Sequence, residues 1–325
     1  LAGLNHRPTF VTTPMLHQKV SFLVCVLDPK FCCWNDMGTG KTWVALNLLR
    51  YWRSQGRGRR PLILVPNVPN ILNWLNQRVV HTPKLKITPL FGSSAERWAT
   101  LDEGEDVCYV LNYAGLVALA TTKGKNKKDK SVMLIDPDKL ARLVGFFDML
   151  VMDESTALKN HQSLTYKICK EIAKACSIRY ALTGTPFGRD PHDLWAQFNV
   201  VDDGKTLGKT LGIFRAAFFN TKKNYWGGYE HKFRPETTPA LVRLMGDCSI
   251  RYRADECIDL PEVTRIQREV ALSIEAEAYY EKVINGIKNV GKNMLLLENA
   301  FMQMREIASG FLIYRTEDKE RREFS

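Results

Sequence analysis

The sequence predicts an α/β fold: a doubly wound parallel sheet covered by helices on both faces, with a helical extension at its C-terminal end. Three observations carry that reading. Up to about residue 200, short apolar runs alternate with segments of helical period, the pattern of strands buried on both faces and joined by crossover helices. One run is followed by a small-residue loop ending in Gly40, Lys41 and Thr42. Another, residues 149–152, ends in the acid pair Asp153 and Glu154.

The apolar runs place strands at 31–34, 62–65, 86–90, 107–111, 149–152 and 179–182. Helices fall between them. Residues 42–53 put Ala45, Leu48, Leu49 and Trp52 on one face. The next, 69–80, opens with proline in its first turn, where the missing N–H costs nothing. Residues 163–175 and 191–199 are further helices. Two basic stretches, 53–60 and 123–130, read as solvated surface loops, with contact to nucleic-acid phosphates as the alternative. Beyond residue 200 the alternation fades. Tyr225, Trp226, Tyr229 and Phe233 surround Gly227 and Gly228, as in a hairpin. Their interleaving with lysines fits a stacking platform for single strands or a locally packed hairpin equally well. From 273 to 312 the period is helical. The expected division is 1–262 and 263–325.

The bulk numbers narrow the function classes. The chain has 325 residues, with 46 basic against 35 acidic side chains, a net charge of +11. That balance points to a polyanionic partner, most simply nucleic acid. Eight cysteines without a C-x-x-C pair argue against a zinc site and for a reduced, intracellular chain. Residues 1–10 hold no apolar stretch of signal-peptide type, and the longest apolar run, 20–27, is too short to span a bilayer. A start at Leu1 and a polar run after 316 suggest a piece of a longer chain. The six histidines show no ligand spacing, and no Ser-His-Asp signature is present.

The chemistry concentrates in four places. Residues 36–42 read Asp-Met-Gly-Thr-Gly-Lys-Thr. Gly38, Thr39 and Gly40 let backbone N–H groups turn toward a phosphate chain, Lys41 can reach the β- and γ-phosphates, and the Thr42 hydroxyl can hold Mg²⁺. The N-terminus of the following helix faces the same anion. Asn35 stands where the strict pattern has glycine, and asparagine tolerates left-handed angles better than most residues. Asp153 would hold the Mg²⁺ hydration shell and Glu154 would orient or deprotonate the attacking water. Thr183, Gly184 and Thr185 end another strand, where hydroxyls and a flexible glycine can bridge the acids to a nucleic acid. The Gln18 amide, able to donate and accept, suits an adenine edge. Taken singly, these features also fit a solvated turn, a strand end meeting water, an ordinary turn and a surface glutamine.

Taken in order, they resemble the first RecA-like motor lobe of superfamily 2 helicases, and within it the Snf-type DNA-translocating ATPases, including shorter bacterial and phage-like members. Gln18 resembles the adenine-reading glutamine, and 36–42 resembles motif I, where an acidic-Met-Gly-x-Gly-Lys-Thr form is usual. Residues 62–66, ending in Pro66, with Asn73 and Trp74 are similar to motif Ia and its follow-up, and 110–113, with Asn112, to motif Ib. Asp153, Glu154 and Ser155, with Lys159 and Asn160 behind them, resemble motif II; 182–186 resembles motif III. Leu194 and Trp195, then 214–219, Arg251 to Arg253, and Leu260 with Pro261 resemble the remainder of that lobe. The resemblance implies ATP and Mg²⁺ as cofactors, ATP hydrolysis coupled to movement on double-stranded DNA, and a second RecA-like lobe carrying an arginine finger. The expected location, from the cysteines and the short apolar runs, is intracellular, cytoplasmic or, in a eukaryote, nuclear, with no membrane partner. An RNA-directed helicase and a nucleotide-binding switch or adaptor without motor activity are the alternatives.

Overall fold

The computed structural model describes residues 9–125, 131–188, 190–223, 225, 227–258, 264, 266–267, 271–290, 294–309, 313–315 and 321–323. The chain divides into two compact units, 1–260 and 261–325. In the first, the elements run α1 (Leu16–Leu27), β1 (Lys30–Cys33), α2 (Lys41–Ser54), β2 (Pro61–Val65), α3 (Val68–His81), β3 (Ile87–Pro89), α4 (Ser94–Asp102), β4 (Cys108–Asn112) and α5 (Tyr113–Ala120). Then come a hairpin, β5 (Thr121–Lys125) with β6 (Ser131–Ile135), α6 (Pro137–Phe146), β7 (Met149–Asp153), α7 (Leu164–Ala175), β8 (Ile178–Leu182), α8 (Asp193–Asp202) and α9 (Leu211–Phe218). A second hairpin, β9 (Phe219–Lys223) with β10 (Tyr229–Phe233), precedes α10 (Thr238–Gly246), β11 (Ser249–Ile250) and α11 (Ala254–Cys257). In the second unit, α12 (Ile274–Val290) packs on α13 (Met294–Ala308) around buried Ala276 and Ile307.

Seven parallel strands form one sheet in the order β11-β1-β8-β7-β2-β4-β3. Side chains alternate between two cores. Phe31, Cys33, Ile63, Val65, Val151 and Tyr180 face α1, α2 and α3. Cys32, Leu62, Leu64, Leu150, Met152 and Ala181 face α5, α7 and α8. A strand buried on both faces has no polar side to show, which is why runs such as 62–65 and 149–152 are apolar throughout. All six expected strands are present, within a residue or two of their expected ends.

Several local expectations need correction. The apolar run at 20–27, for which the sequence carries no element expectation, lies in a helix, α1, that packs against α2. With α1, the sheet and α3 around it, α2 is buried well beyond one face, including Trp43, Val44 and Leu46. The basic stretch at 53–60 is not a loop free in solvent: the backbone N–H groups of Arg59 and Arg60 donate to Asp148 at 2.7 and 3.0 Å, and Arg59 Nε donates to Asp106 at 3.0 Å. Of the expected loop at 123–130, residues 123–125 belong to a strand, β5. The 219–233 hairpin is present, with Phe219 and Phe233 packed together at its base. Strand β11 follows no strand pattern in the sequence and adds itself to the sheet edge beside β1. Residues 126–130, Trp226, Leu260, Pro261 and the polar run 316–320 lie outside the described residues. No helix among the described residues is long and apolar enough to cross a membrane. All eight cysteines are free thiols, seven of them buried.

One buried charge ties β8 to α8. Arg179 is 2% exposed. It donates to the carbonyls of Cys176, Val200 and Val201 at 2.8, 3.2 and 3.3 Å and to Asp203 at 2.8 Å. Two of those carbonyls are in the last turn of α8, where helix carbonyls lack internal partners. Lys170 also reaches Asp203, at 3.0 Å. Partial burial pushes the Asp203 carboxyl up, but the hydrogen bonds from Arg179 and Lys170 win and hold it well below the usual carboxylate range. A depressed folded value means the stabilisation is complete above the unfolded pKa of about 3.9 and is lost as pH falls below it. Asp203→Asn should therefore lower stability by about 1–2 kcal/mol at neutral pH, discounted for a carboxylate that is 42% exposed. It should also flatten the acid limb of the urea midpoint measured from pH 7 to pH 3.

Candidate functional site

After β1 the chain turns through residues 34–40 into α2. The turn needs left-handed backbone at Gly38 (φ 82°) and Gly40 (φ 84°). Thr39 Oγ1 closes it by donating to Asp36 O at 2.7 Å. Lys41, the first residue of α2, folds back to donate to the carbonyls of Asn35 and Asp36 at 2.8 and 3.1 Å. Gln18 braces the loop from α1: its Nε2 donates to Thr39 O at 3.1 Å, and its Oε1 accepts from Met15 N at 3.0 Å. His17 meets the same Thr39 carbonyl at 2.8 Å.

Asn35 is not left-handed. Among the described residues only Glu154 and Asp203 are non-glycines with positive φ. Asn35 matters through its side chain instead. Its buried amide donates to Ser21 Oγ at 2.9 Å and Cys33 Sγ at 3.4 Å, and accepts from Tyr252 N at 3.0 Å. Asp36 is clipped by the same late segment: its N–H donates to Tyr252 O at 2.9 Å, and its carboxylate faces Arg251 at 3.4 Å and Ala254 N at 3.3 Å.

Asp153 ends β7. Trp74 Nε1 donates to its Oδ2 at 2.8 Å, Glu154 N to its Oδ1 at 3.1 Å, and the Tyr113 hydroxyl to its carbonyl at 2.9 Å. Burial pushes the Asp153 carboxyl above its ordinary value, while the Trp74 bond and Lys41 pull against it. Glu154 then sits at φ 49°, ψ 58°. A non-glycine in that region stores about 1–3 kcal/mol and is held there by its surroundings. Ser155 supplies one anchor, donating to Gln197 at 2.7 Å. Thr183 supplies another, donating from Oγ1 to Glu154 Oε2 at 2.8 Å. Thr185 N donates back to Thr183 Oγ1 at 3.2 Å, and Gly184 lies so close to the loop that a Cβ there would be 3.2 Å from Met37 N.

Gln18, Gly38, Gly40, Lys41, Thr42, Asn73, Asp153 and Glu154 thus line one cleft of about 500 Å³. Thr39, 1% exposed, supports it from behind. Pro66 and Asn112 are not in its lining; Asn112 caps α5 by accepting from Gly115 N at 3.1 Å. Trp74 is fully buried and touches Asp153, not the surface. Thr12, Asn70, Gln77 and His81 also line the cleft and were not picked out in the sequence. Three of them recur at helical spacing on α3, so the polar face of that helix was the signal available.

The sheet, the loop at its carboxyl edge and the acids two strands away define a phosphate-loop protein with the RecA-like α/β fold. A family model described as the SNF2-related domain matches residues 33–322, and the chain belongs to that family. It is 25% identical over 317 residues to a protein of Acyrthosiphon pisum secondary endosymbiont phage 1, covering 93% of this chain and 64% of that one. It is 28% identical over 290 residues to the human SWI/SNF-related matrix-associated actin-dependent regulator of chromatin subfamily A member 1, covering 84% of this chain and 24% of that protein. A solved structure, the Sulfolobus solfataricus SWI2/SNF2 ATPase core in complex with dsDNA, superposes with TM-score 0.59 at 20% identity, covering 94% of this chain and 60% of that one. The chain therefore spans less than two thirds of the length of these relatives.

The loop geometry separates its two glycines. A Cβ on Gly38 meets nothing within 4 Å, whereas one on Gly40 would lie 2.3 Å from Gln18 Nε2. Gly38→Ala should lose about 1–2 kcal/mol from backbone strain alone. Gly40→Ala should lose more and should also displace Gln18, raising amide exchange across 36–42. Thermal unfolding with hydrogen exchange checks both; equal effects from the two variants would contradict the bracing role of Gln18.

Proposed function

We propose that this chain is the nucleotide-binding lobe of a motor that hydrolyses Mg²⁺-ATP and moves along double-stranded DNA. The observation that carries the reading is the convergence of Lys41, Thr42, Asp153 and Glu154 on one cleft, with Thr183 bonded to Glu154. Lys41 would trade its loop carbonyls for phosphate oxygens, and the N–H groups at the start of α2 would face the same charge. The Asp153 carboxylate and the Thr42 hydroxyl, which makes no hydrogen bond among the described residues, are oxygen donors of the kind Mg²⁺ takes. When bound, the ion would neutralise phosphate charge. Glu154 would orient and deprotonate water. Its tie to Thr183 gives a route by which contact along the 183–185 segment moves the base. Pro66, Asn73, Asn112 and Thr185 are the residues we assign to the nucleic-acid side, with Trp74, Thr183 and Gly184 behind them. Gln18 would read the adenine edge.

Family membership, the chromatin-regulator and helicase names among the relatives, and the net charge of +11 support a DNA motor. The opposite wall of the cleft would come from a second RecA-like lobe with its arginine finger, an effect worth about 10³–10⁵ in rate in related transfers.

Lys41→Ala should abolish nucleotide binding. Glu154→Gln should keep it while turnover falls by about 10²–10⁴. Nucleotide binding by fluorescence and phosphate release, measured side by side, check the pair; equal loss of binding in both would sink the role given to Glu154.

DNA binding should be backbone-directed, similar for unrelated duplexes, and should weaken roughly tenfold or more between about 50 and 200 mM salt. Anisotropy titrations with two duplexes and an RNA duplex decide it. A salt-insensitive complex, or a preference for RNA, would turn the reading toward a different motor.

A further inference from the structure

Helix α3 carries a polar stripe that the proposed chemistry leaves unused apart from Asn73. Asn70, Asn73, Gln77 and His81 follow helical spacing and line the same cleft as the phosphate loop. Three hydrogen bonds order its far end. His81 Nε2 lies 2.9 Å from Gln77 Oε1, His81 Nδ1 lies 2.8 Å from Thr12 Oγ1, and Trp43 Nε1 donates to Thr12 Oγ1 at 2.8 Å. A carbonyl oxygen only accepts, so Nε2 carries the ring hydrogen. The neutral imidazole then accepts at Nδ1, and the Thr12 hydroxyl donates there while its lone pair takes the indole N–H. The chain of donors thus runs one way, from Trp43 through Thr12 and His81 to Gln77. Burial pushes the His81 basicity down, in the sense that favours this neutral form.

The consequence falls on Gln77. Its oxygen is engaged, and its amide N–H₂ makes no hydrogen bond among the described residues. Gln77 therefore faces the cleft as a donor. It sits about 10 Å along α3 from Asn70, running away from the carboxyl edge of the sheet where the phosphate loop and the acids lie. We propose that Gln77, held by His81 and Thr12, recognises the nucleoside end of the bound nucleotide by donating to an acceptor on the base or the ribose. This rests on the cleft being a nucleotide site.

The test compares ATP, GTP and inorganic tripolyphosphate, each with magnesium chloride, by calorimetry on the wild type, Gln77→Met, His81→Phe and Lys41→Ala. Gln77→Met should weaken ATP about 5- to 50-fold and change tripolyphosphate less than about twofold, because only the nucleoside contact is lost. His81→Phe should act in the same sense and less strongly, because Gln77 stays but loses its anchor. A loss shared by GTP places the acceptor on the ribose or a common purine atom; a loss confined to ATP places it on the adenine edge. Unchanged ATP affinity in Gln77→Met, or an equal loss for tripolyphosphate, overturns the proposal. Retention of both ligands by Lys41→Ala overturns the nucleotide reading itself, and the proposal with it.

Discussion

The place of β8 between β1 and β7 is the constraint on which the site depends. The register pairs Leu182 with Cys33 on one side and with Asp153 on the other. Parallel strands end on a common edge, so the residue after Leu182 lies one strand spacing, about 4.8 Å, from both neighbours. Thr183 occupies that position. Its hydroxyl reaches Glu154, its N–H reaches the Cys33 carbonyl at 3.4 Å, and Gly184 rests against the phosphate loop. Any other order would put the loop and the acids at least one strand further apart or remove the hydroxyl between them. The left-handed Glu154 belongs to the same arrangement, since its strained backbone turns the carboxylate toward Thr183.

Polar groups buried behind the site do the positioning. Trp74 spends its only donor on Asp153, and Asn35 uses both ends of its amide to join β1, α1 and the segment after β11. Such groups are expensive to bury unless paired, and once paired they hold one arrangement and no other. Asp153 remains a carboxylate that burial disfavours as an anion, which is the state a nearby cation would relieve.

Much of this was legible in the residues. Runs such as 62–65 and 149–152 read as strands, because they are short and apolar on both sides, as a strand buried on both faces requires. Asp153 and Glu154 close one such run and Lys41 and Thr42 follow another across a short loop, so topology alone brings them to one edge. What escaped was what depends on partners distant in sequence. Strand β11 is two residues long and is defined by β1, not by its own composition. Asn35 looked like a backbone exception because its side-chain partners, Ser21 and Tyr252, are 14 and 217 residues away. The basic residues after α2 looked solvated because Asp106 and Asp148 lie far along the chain. The stripe on α3 shows in the helical period, but its meaning came only with Thr12 and Trp43 beside it.

The clip between residues 35–36 and 251–254 gives this protein a schedule as well as a shape. Asn35 and Asp36 leave the ribosome before Tyr252, which follows 217 residues behind Asn35. At the usual elongation rate of about 5–20 residues per second, that interval is roughly 10–40 s. Throughout it, the nascent loop lacks the edge strand and the backbone partners that lock it. A lobe built this way acquires the clip on its 35–36 turn only after six of the seven strands of the sheet have been made.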